Sequence, residues 1–309
     1  MKIDLSIMRP VGFHSRLNIN IKKTIKRVDR GDGWKNVLHC LVCGSKKYNF
    51  YLTKFNIDIK LCTRCNSAFS SKIPKNFDDV YDNNEQFNHH QESYEKIREY
   101  RIKRFGRERL NLILKYKNRG KLADIGCGNG WLLEVAKRYF SVTGVELNNS
   151  LLHFTSKKLK IPVYRKIDLL KNDEYDVITL FDIIEHVSKP MEYLKKISQK
   201  LKKGGIILIY TPNRDSLGFS YLKENQQLIN TPIHITYLCA KSFNFVPSVL
   251  KVIYLKTFGL DIGDIYAYER DISKNLALAE VIKKNATVIQ SIIDGLGFGN
   301  HLRVILKKI

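Results

Sequence analysis

The sequence predicts a doubly wound α/β sheet preceded by a small cysteine-rich module, and three observations carry that prediction. A short apolar strand pattern at 121–125 runs into glycines at 126, 128 and 130 and then into a helical pattern. Strand-like and helix-like segments alternate from there to residue 210. Upstream, Cys40-x-x-Cys43 and Cys62-x-x-Cys65 form two knuckles with eighteen residues between them.

Composition sets the outer limits. A chain of 309 residues can bury one large core plus a small additional module. Its hydrophobic content of 44% with 11% aromatic suits a globular protein and excludes a disordered one. The apolar runs fall short of the ~18 residues of a membrane span. Residues 1–10 include Asp4 and lack the apolar stretch of a secretory signal, so a cytoplasmic location is expected. The net charge of +23 favours acidic partners: nucleic acid, an anionic membrane or phosphate-bearing metabolites. Against that, Lys, Asn and Ile abound throughout, as an AT-rich genome would give, and much of the basic excess is scattered. Residues 1–37 read as a basic extension, densest at 22–30.

Residues 38–75 read as a zinc ribbon. Each Cys-x-x-Cys puts two thiolates on one tight knuckle, and two knuckles complete a tetrahedron around zinc. Gly44 follows the first knuckle and supplies the backbone freedom such a turn needs. Between the knuckles, 48–52 and 58–61 read as a β-hairpin. A disulfide framework fits a cytosolic chain poorly, and a redox pair fits two knuckles at this spacing poorly. Four thiolates, at Cys40, Cys43, Cys62 and Cys65, leave no open position, so the predicted zinc is structural. The module is too small to hold a core unaided, and the metal would provide much of its folding free energy. Cys127 and Cys239 remain as packing thiols.

Residues 76–118 read as a helical linker and cap. The helix at 92–116 places Ile97, Ile102, Phe105, Leu110, Ile113 and Leu114 at helical spacing, so it should pack beside the sheet.

The glycine block follows. Gly126, Gly128 and Gly130 let the backbone bend tightly and approach a ligand, since a Cβ would block both dihedrals and space. A second strand at 142–145 ends on Glu146, twenty residues after Gly126, where a carboxylate can accept both hydroxyls of a ribose. A dinucleotide turn wants glycine or alanine where this chain has Trp131. Asp124, two residues before the first glycine, puts a carboxylate beside the cradle. That is a poor neighbour for a pyrophosphate and a good one for a cationic amino group.

With these residues the block resembles the class I S-adenosylmethionine-dependent methyltransferases. Their cofactor carries an ammonium, a sulfonium and no phosphate. The resemblance implies a Rossmann-like sheet over 119–309 and cofactor contacts from Asp124, Gly126, Gly128, Gly130 and Glu146. It puts Asp168 where a carboxylate meets the adenine amino group, and counts Asp182 with the cofactor-binding set. Trp131 either lies against the methionine tail or simply packs at the helix start. A four-cysteine ribbon joined to such a domain looks like a bacterial architecture of nucleotide-sugar C-methyltransferases and of surface-polysaccharide and natural-product pathways. Pro74, the acidic-aromatic stretch 77–87 and the helix ending at Tyr116 share that pattern. The second knuckle departs from it: the usual Cys-Gly-aliphatic continuation is Cys65-Asn66-Ser67, where Asn can also adopt positive φ.

Further strands are expected at 162–165, 176–181 and 205–210, with helices at 149–159 and 189–201 between strands, giving right-handed βαβ units. After Thr211-Pro212-Asn213 the pattern changes: 217–232 reads as a polar loop and 240–250 as a helix. Residues 214–250 should form a cap over the acceptor. Late strands at 252–258 and 301–307 flank a helix at 274–290, and the resemblance implies that the last strand is reversed.

Asp182-Ile183-Ile184-Glu185-His186 follows the fourth strand, at the carboxyl edge where open α/β sheets bind ligands. It is similar to the acid-x-x-Glu-His motif of ubiquinone-pathway O-methyltransferases and small-RNA 3′-terminal methyltransferases, which can bind a divalent metal there. Asp182, Glu185, His186 and, farther on, His234 offer two carboxylates and two imidazoles, suited to Mg²⁺, Mn²⁺ or Zn²⁺. Alternatively His186 is the general base for a hydroxyl acceptor, since neutral imidazole has a fitting pKa, or it merely borders the pocket. The expected activity is methyl transfer to oxygen or carbon of a small polar acceptor, with a sugar, nucleotide-sugar or glycan favoured by the resemblance. The rivals are a metal-dependent RNA methyltransferase, which lacks a recognition signature among the basic residues, and a non-catalytic binding protein, against which the intact Asp124, glycines and Glu146 argue.

Overall fold

The computed structural model describes residues 5, 13–77, 80 and 94–309. The expectations for residues 1–10, for most of 77–87 and for the start of the helix at 92 therefore lie outside the described residues. In chain order the strands are β1 (Trp34–Asn36), β2 (Tyr48–Lys54), β3 (Ile57–Cys62), β4 (Ala68–Ser70), β5 (Lys72–Pro74), β6 (Gly120–Ile125), β7 (Phe140–Val145), β8 (Val163–Tyr164), β9 (Tyr175–Phe181), β10 (Leu201–Pro212), β11 (Thr236–Tyr237), β12 (Leu250–Phe258) and β13 (His301–Lys308). The longer helices are α1 (Phe13–Arg30), α2 (Tyr94–Arg101), α3 (Glu108–Leu114), α4 (Trp131–Ala136), α5 (Asn149–Leu159), α6 (Pro190–Ser198), α7 (Leu217–Leu222), α8 (Asp261–Tyr268) and α9 (Leu276–Gly295).

The main sheet has the order β12-β13-β10-β9-β6-β7-β8. Strands β8, β7, β6, β9 and β10 run parallel, and β13 runs antiparallel to both β10 and β12. The reversed last strand expected from the resemblance is present. Its central strands read as nearly continuous apolar runs because both faces are covered.

Alternation along those strands divides the core in two. Ala123, Ile125, Ile178, Leu180, Ile207 and Ile209 point to one face, and Leu122, Val177, Phe181, Ile206 and Leu208 to the other. Leu112, Ile113, Leu132 and Leu133 from α3 and α4 cover the second face. The first face takes Leu194 and Ile197 of α6 together with Cys40, Cys62, Cys65 and Phe69 of the cysteine module.

Local chemistry fixes the helix starts. The Asn148 side chain caps α5 by accepting from the Leu151 amide, and Pro190 opens α6 at a position whose N–H needs no helical partner. Three expectations need correction. The expected loop at 217–232 contains α7, because Ser216 caps it and Phe219 and Leu222 are buried. The expected helix at 240–250 is a 3₁₀ turn, Ala240–Phe245, followed at once by Val246, Pro247 and strand β12. Pro247 cannot extend a helix and biases Val246 away from helical dihedrals. The single cap helix at 92–116 is broken: α2 and α3 are joined by a π-helical turn, Ile102–Arg107.

The expected hairpin between the knuckles is β2–β3, and β4 extends it. The outer edge of β4 is completed by β11, whose Thr236 and Tyr237 pair with Phe69 and Ala68. The four-stranded sheet is thus built from the cysteine module and a segment far downstream of it.

Candidate active site

A cavity of about 750 Å³ opens at the carboxyl ends of β6, β7 and β9, and its lining includes Gly126, Gly128, Glu146, Asp168, Asp182 and His186. Each predicted glycine has positive φ, and each for a different spatial reason. A Cβ on Gly126 would collide with Ile183, and one on Gly130 would press Leu159 and Thr155 at 2.6 and 2.8 Å. Gly128 faces open space, so its missing side chain leaves room for a ligand rather than for the protein. Gly130 is the left-handed residue that starts α4 and packs against α5; its contribution to the cradle is through the turn.

Two carboxylates flank that turn. Glu146 accepts from the Gly128 amide at 2.8 Å and from the Asn148 amide at 2.9 Å, which fixes its orientation at the strand end. Burial raises its pKa above the usual carboxylate value, against the pull of those amides. Asp124 is buried and accepts from the Thr179 hydroxyl at 2.6 Å. Burial pushes Asp124 up to about 7, with Thr179 and Arg109 opposing. A site holding two reluctant carboxylates favours a cationic ligand, which would restore their charge.

Asp168 lies at the cavity wall, mostly exposed, and pairs with Lys196 of α6 at 2.6 Å. Asp182 sits at φ +56 beyond β9, with Arg109 and His301 each 3.7 Å from its carboxylate oxygens. Trp131 lines the cavity at the start of α4.

The other end of the cavity holds His186 and His234. Their rings cross edge to face with centroids 4.8 Å apart. His186 Nδ1 meets the Ile233 carbonyl and His234 Nδ1 the Leu228 carbonyl, both at 2.8 Å. A ring nitrogen facing a carbonyl carries the proton, so in the neutral ring Nε2 is the basic nitrogen. Burial lowers both pKa values, that of His234 well below the ordinary imidazole value with His186 adding to the effect. Glu185 is fully buried; Oε2 accepts from the Thr211 hydroxyl at 2.9 Å, Oε1 has no partner among the described residues, and burial raises its pKa well above normal. Ligand atoms of Glu185, His186 and His234 lie within 4.8 Å of one another. Asp182, the first acid of the motif, is outside that group because it faces Arg109 and His301.

The thiols of Cys40, Cys43, Cys62 and Cys65 also lie within 4.8 Å of one another, with Cys40–Cys65 at 3.4 Å and Cys43–Cys62 at 3.5 Å. Tetrahedral zinc with Zn–S of about 2.3 Å needs edges of about 3.8 Å, so the donors fit that ion. Gly44 and Asn66 both take positive φ after their knuckles, so Asn66 does the work of the usual glycine. The hydrogen bond from Cys40, with Ser67 assisting, lowers the pKa of Cys65. Cys127 is buried inside the cradle turn, and Cys239 is buried with its thiol on the Cys65 carbonyl at 3.4 Å.

Three further lining residues, Arg101, Arg109 and Asn230, went unnoticed in the sequence. Arg109 lies 4.0 Å above the Phe181 ring and next to Asp124. The signal for it was faint: one arginine among many in a basic helix. Asn230 accepts from the amides of Ile233 and His234 through its carbonyl and so makes the turn that presents His234.

Residues 94–245 match the family model described as a methyltransferase domain. The fold is the mixed α/β, Rossmann-like fold of a methyltransferase domain. Among curated relatives, the chain is 34% identical over 107 residues to the ubiquinone biosynthesis O-methyltransferase of Coxiella burnetii, covering 32% of this chain and 46% of that one. The enzyme of the same name from Pelagibacter ubique is 38% identical over 102 residues, covering 30% of this chain and 42% of its own. The chain thus spans less than half the length of these curated relatives. Among solved structures, a S-adenosylmethionine-dependent methyltransferase from Archaeoglobus fulgidus aligns at 22% identity and a TM-score of 0.45, over 68% of this chain and 94% of that one. No described helix is long and apolar enough to cross a membrane.

Proposed function

We propose that this protein transfers the methyl group of S-adenosylmethionine to an oxygen or carbon of a small polar acceptor. One observation carries the reading: a single cavity joins the Asp124–Gly128–Glu146 cradle to the paired imidazoles of His186 and His234. When bound, the cofactor supplies a methyl group already activated by its sulfonium. Asp124 and Arg109, side by side, suit the ammonium and carboxylate of its amino-acid end. Glu146 offers lone pairs to the ribose hydroxyls, Asp168 an acceptor to the adenine amino group, and Gly128 the space between. For an alcohol acceptor, the bound cofactor would supply the methyl carbon and keep the C–S electron pair on sulfur, while Nε2 of His186 or His234 would take the hydroxyl proton. Asp182 at the rim orients Arg109.

A sugar, nucleotide-sugar or glycan acceptor is supported by the resemblance of the four-cysteine and methyltransferase combination. The relatives, named for an O-methylation, favour oxygen over carbon. Structural zinc at the four cysteines belongs to the same proposal and rests on donor type and spacing. A second reading, a metal-dependent methyltransferase of RNA ribose hydroxyls, is favoured by the grouping of Glu185, His186 and His234. Calorimetry with S-adenosylmethionine, followed by detection of S-adenosylhomocysteine with nucleotide-sugars or RNA ends, tests the proposal. Absence of cofactor binding would remove it.

A further inference from the structure

Arg101 and Arg109 are eight positions apart, which in a regular α-helix would leave them roughly 80° out of line. The π-helical turn Ile102–Arg107 between them widens the spiral and corrects that offset. Both guanidiniums consequently lie against one ring, Phe105, at 4.9 and 5.1 Å from its centroid, and both line the cavity. The two have different surroundings. Arg109 stacks on Phe181 and has Asp182 at 3.7 Å and Asp124 nearby. Arg101 is partly buried, its charge disfavoured by desolvation and by Arg109, and it makes no hydrogen bond or ion pair among the described residues. Asp182, the acid closest in effect, directs its oxygens to Arg109 and His301.

A partly buried guanidinium in a cavity wall, set against an aromatic ring and without an acceptor among the described residues, is answered best by planar oxyanions. In the proposed function the cofactor's own carboxylate goes to Arg109, next to Asp124. We propose that Arg101 is the anchor for an anionic group, a phosphate or carboxylate, on the acceptor, so that the acceptor of this site is an anionic small molecule. The inference rests on the methyl-transfer reading of the cavity. It narrows that reading from polar acceptors in general to those with a negative charge within reach of the reacting atom, as in sugar phosphates, nucleotide-sugars or uronic acids.

The test uses the full-length protein saturated with S-adenosylhomocysteine, titrated with uridine diphosphate and, separately, with glucuronate. The wild-type protein should bind at least one of them, uridine diphosphate alone indicating phosphate and glucuronate alone a carboxylate. Arg101→Gln should weaken that binding at least tenfold, Arg101→Lys should restore part of it, and S-adenosylhomocysteine affinity should stay within twofold in both. Equal thermal stability of the two variants and wild type shows that the fold is intact. Unchanged probe binding in Arg101→Gln, or no binding of either probe to the wild type, overturns the proposal. So does a tenfold loss of S-adenosylhomocysteine affinity in Arg101→Gln, which would assign Arg101 to the cofactor. Failure of the wild type to bind S-adenosylhomocysteine, read before any probe is added, would instead remove the methyl-transfer reading underneath it.

Discussion

His186 and His234 meet edge to face at one end of the cavity with ring centroids 4.8 Å apart, each held by a backbone carbonyl at Nδ1. Both are pushed toward the neutral, proton-accepting form by burial. If His186 is the base, His186→Ala should lower turnover by roughly two to four orders of magnitude while cofactor affinity hardly changes. Because the base must be neutral and its pKa is lowered, the acid limb of the rate profile should fall below the ordinary imidazole value near 6.5. A limb at or above that value would contradict the assignment. If Glu185, His186 and His234 hold a metal instead, chelation should abolish activity reversibly and His234→Ala should match His186→Ala.

Asp124 should make cofactor binding pH-dependent. With its pKa pushed up to about 7, the free site is largely protonated below neutrality, whereas the cofactor's ammonium requires the ionised carboxylate. Affinity should therefore rise as pH increases toward 7, by up to about tenfold per unit, with a proton released on binding. The ligand's own amino group, titrating near ~8, sets the alkaline limit. Calorimetry at pH 6 and 7 in buffers of different ionisation heat reads both effects. An affinity flat across that interval in wild type, or still rising in Asp124→Asn, would contradict the pairing.

The glycines divide into one that faces open space and others that pack against side chains. Gly128→Val should weaken S-adenosylmethionine binding at least tenfold, on the order of 1.4 kcal/mol, by filling the space that Gly128 leaves open. Glu146→Ala should do the same by removing the ribose acceptor. Gly130→Val should instead lower thermal stability, since its side chain would strike Leu159 and Thr155. Folded Gly128→Val protein with wild-type affinity would place the ligand elsewhere.

Zinc, at about one per chain, should copurify with the reduced protein. Cys43→Ser should lose it, and the effect should travel. The Ser70 amide donates to the Ile235 carbonyl, the Ile235 amide donates to the Glu185 carbonyl, and Ser67 and Ser242 hydroxyls meet at 2.7 Å beside Cys65. Loosening the knuckles should therefore shift the His234 ring resonances in NMR as well as sensitise residues near the knuckles to protease. Elemental measurement finding no zinc, or His234 signals identical in Cys43→Ser, would count against a metal-braced site.

The sequence alone was enough for the cradle and the knuckles because both are local. Strand, glycine turn and helix start sit within eleven residues, 121–131, and each thiol pair within four, so backbone dihedrals and side-chain type decide the geometry without help from distant chain. The α/β alternation was legible for the same reason: strands covered on both faces are apolar throughout and helices repeat with their own period. What only the tertiary structure decided is long-range or small. Strand β11 has two residues and acquires its identity from pairing with β4, so no periodicity could announce it. Arg101 and Arg109 share a wall because of a π-helical turn, a change of pitch that a basic stretch does not encode in its hydrophobic pattern. His234 comes to His186 through a turn fixed by Asn230 and by the edge of the cysteine module, and hydrogen bonds between remote backbones leave no mark on local sequence.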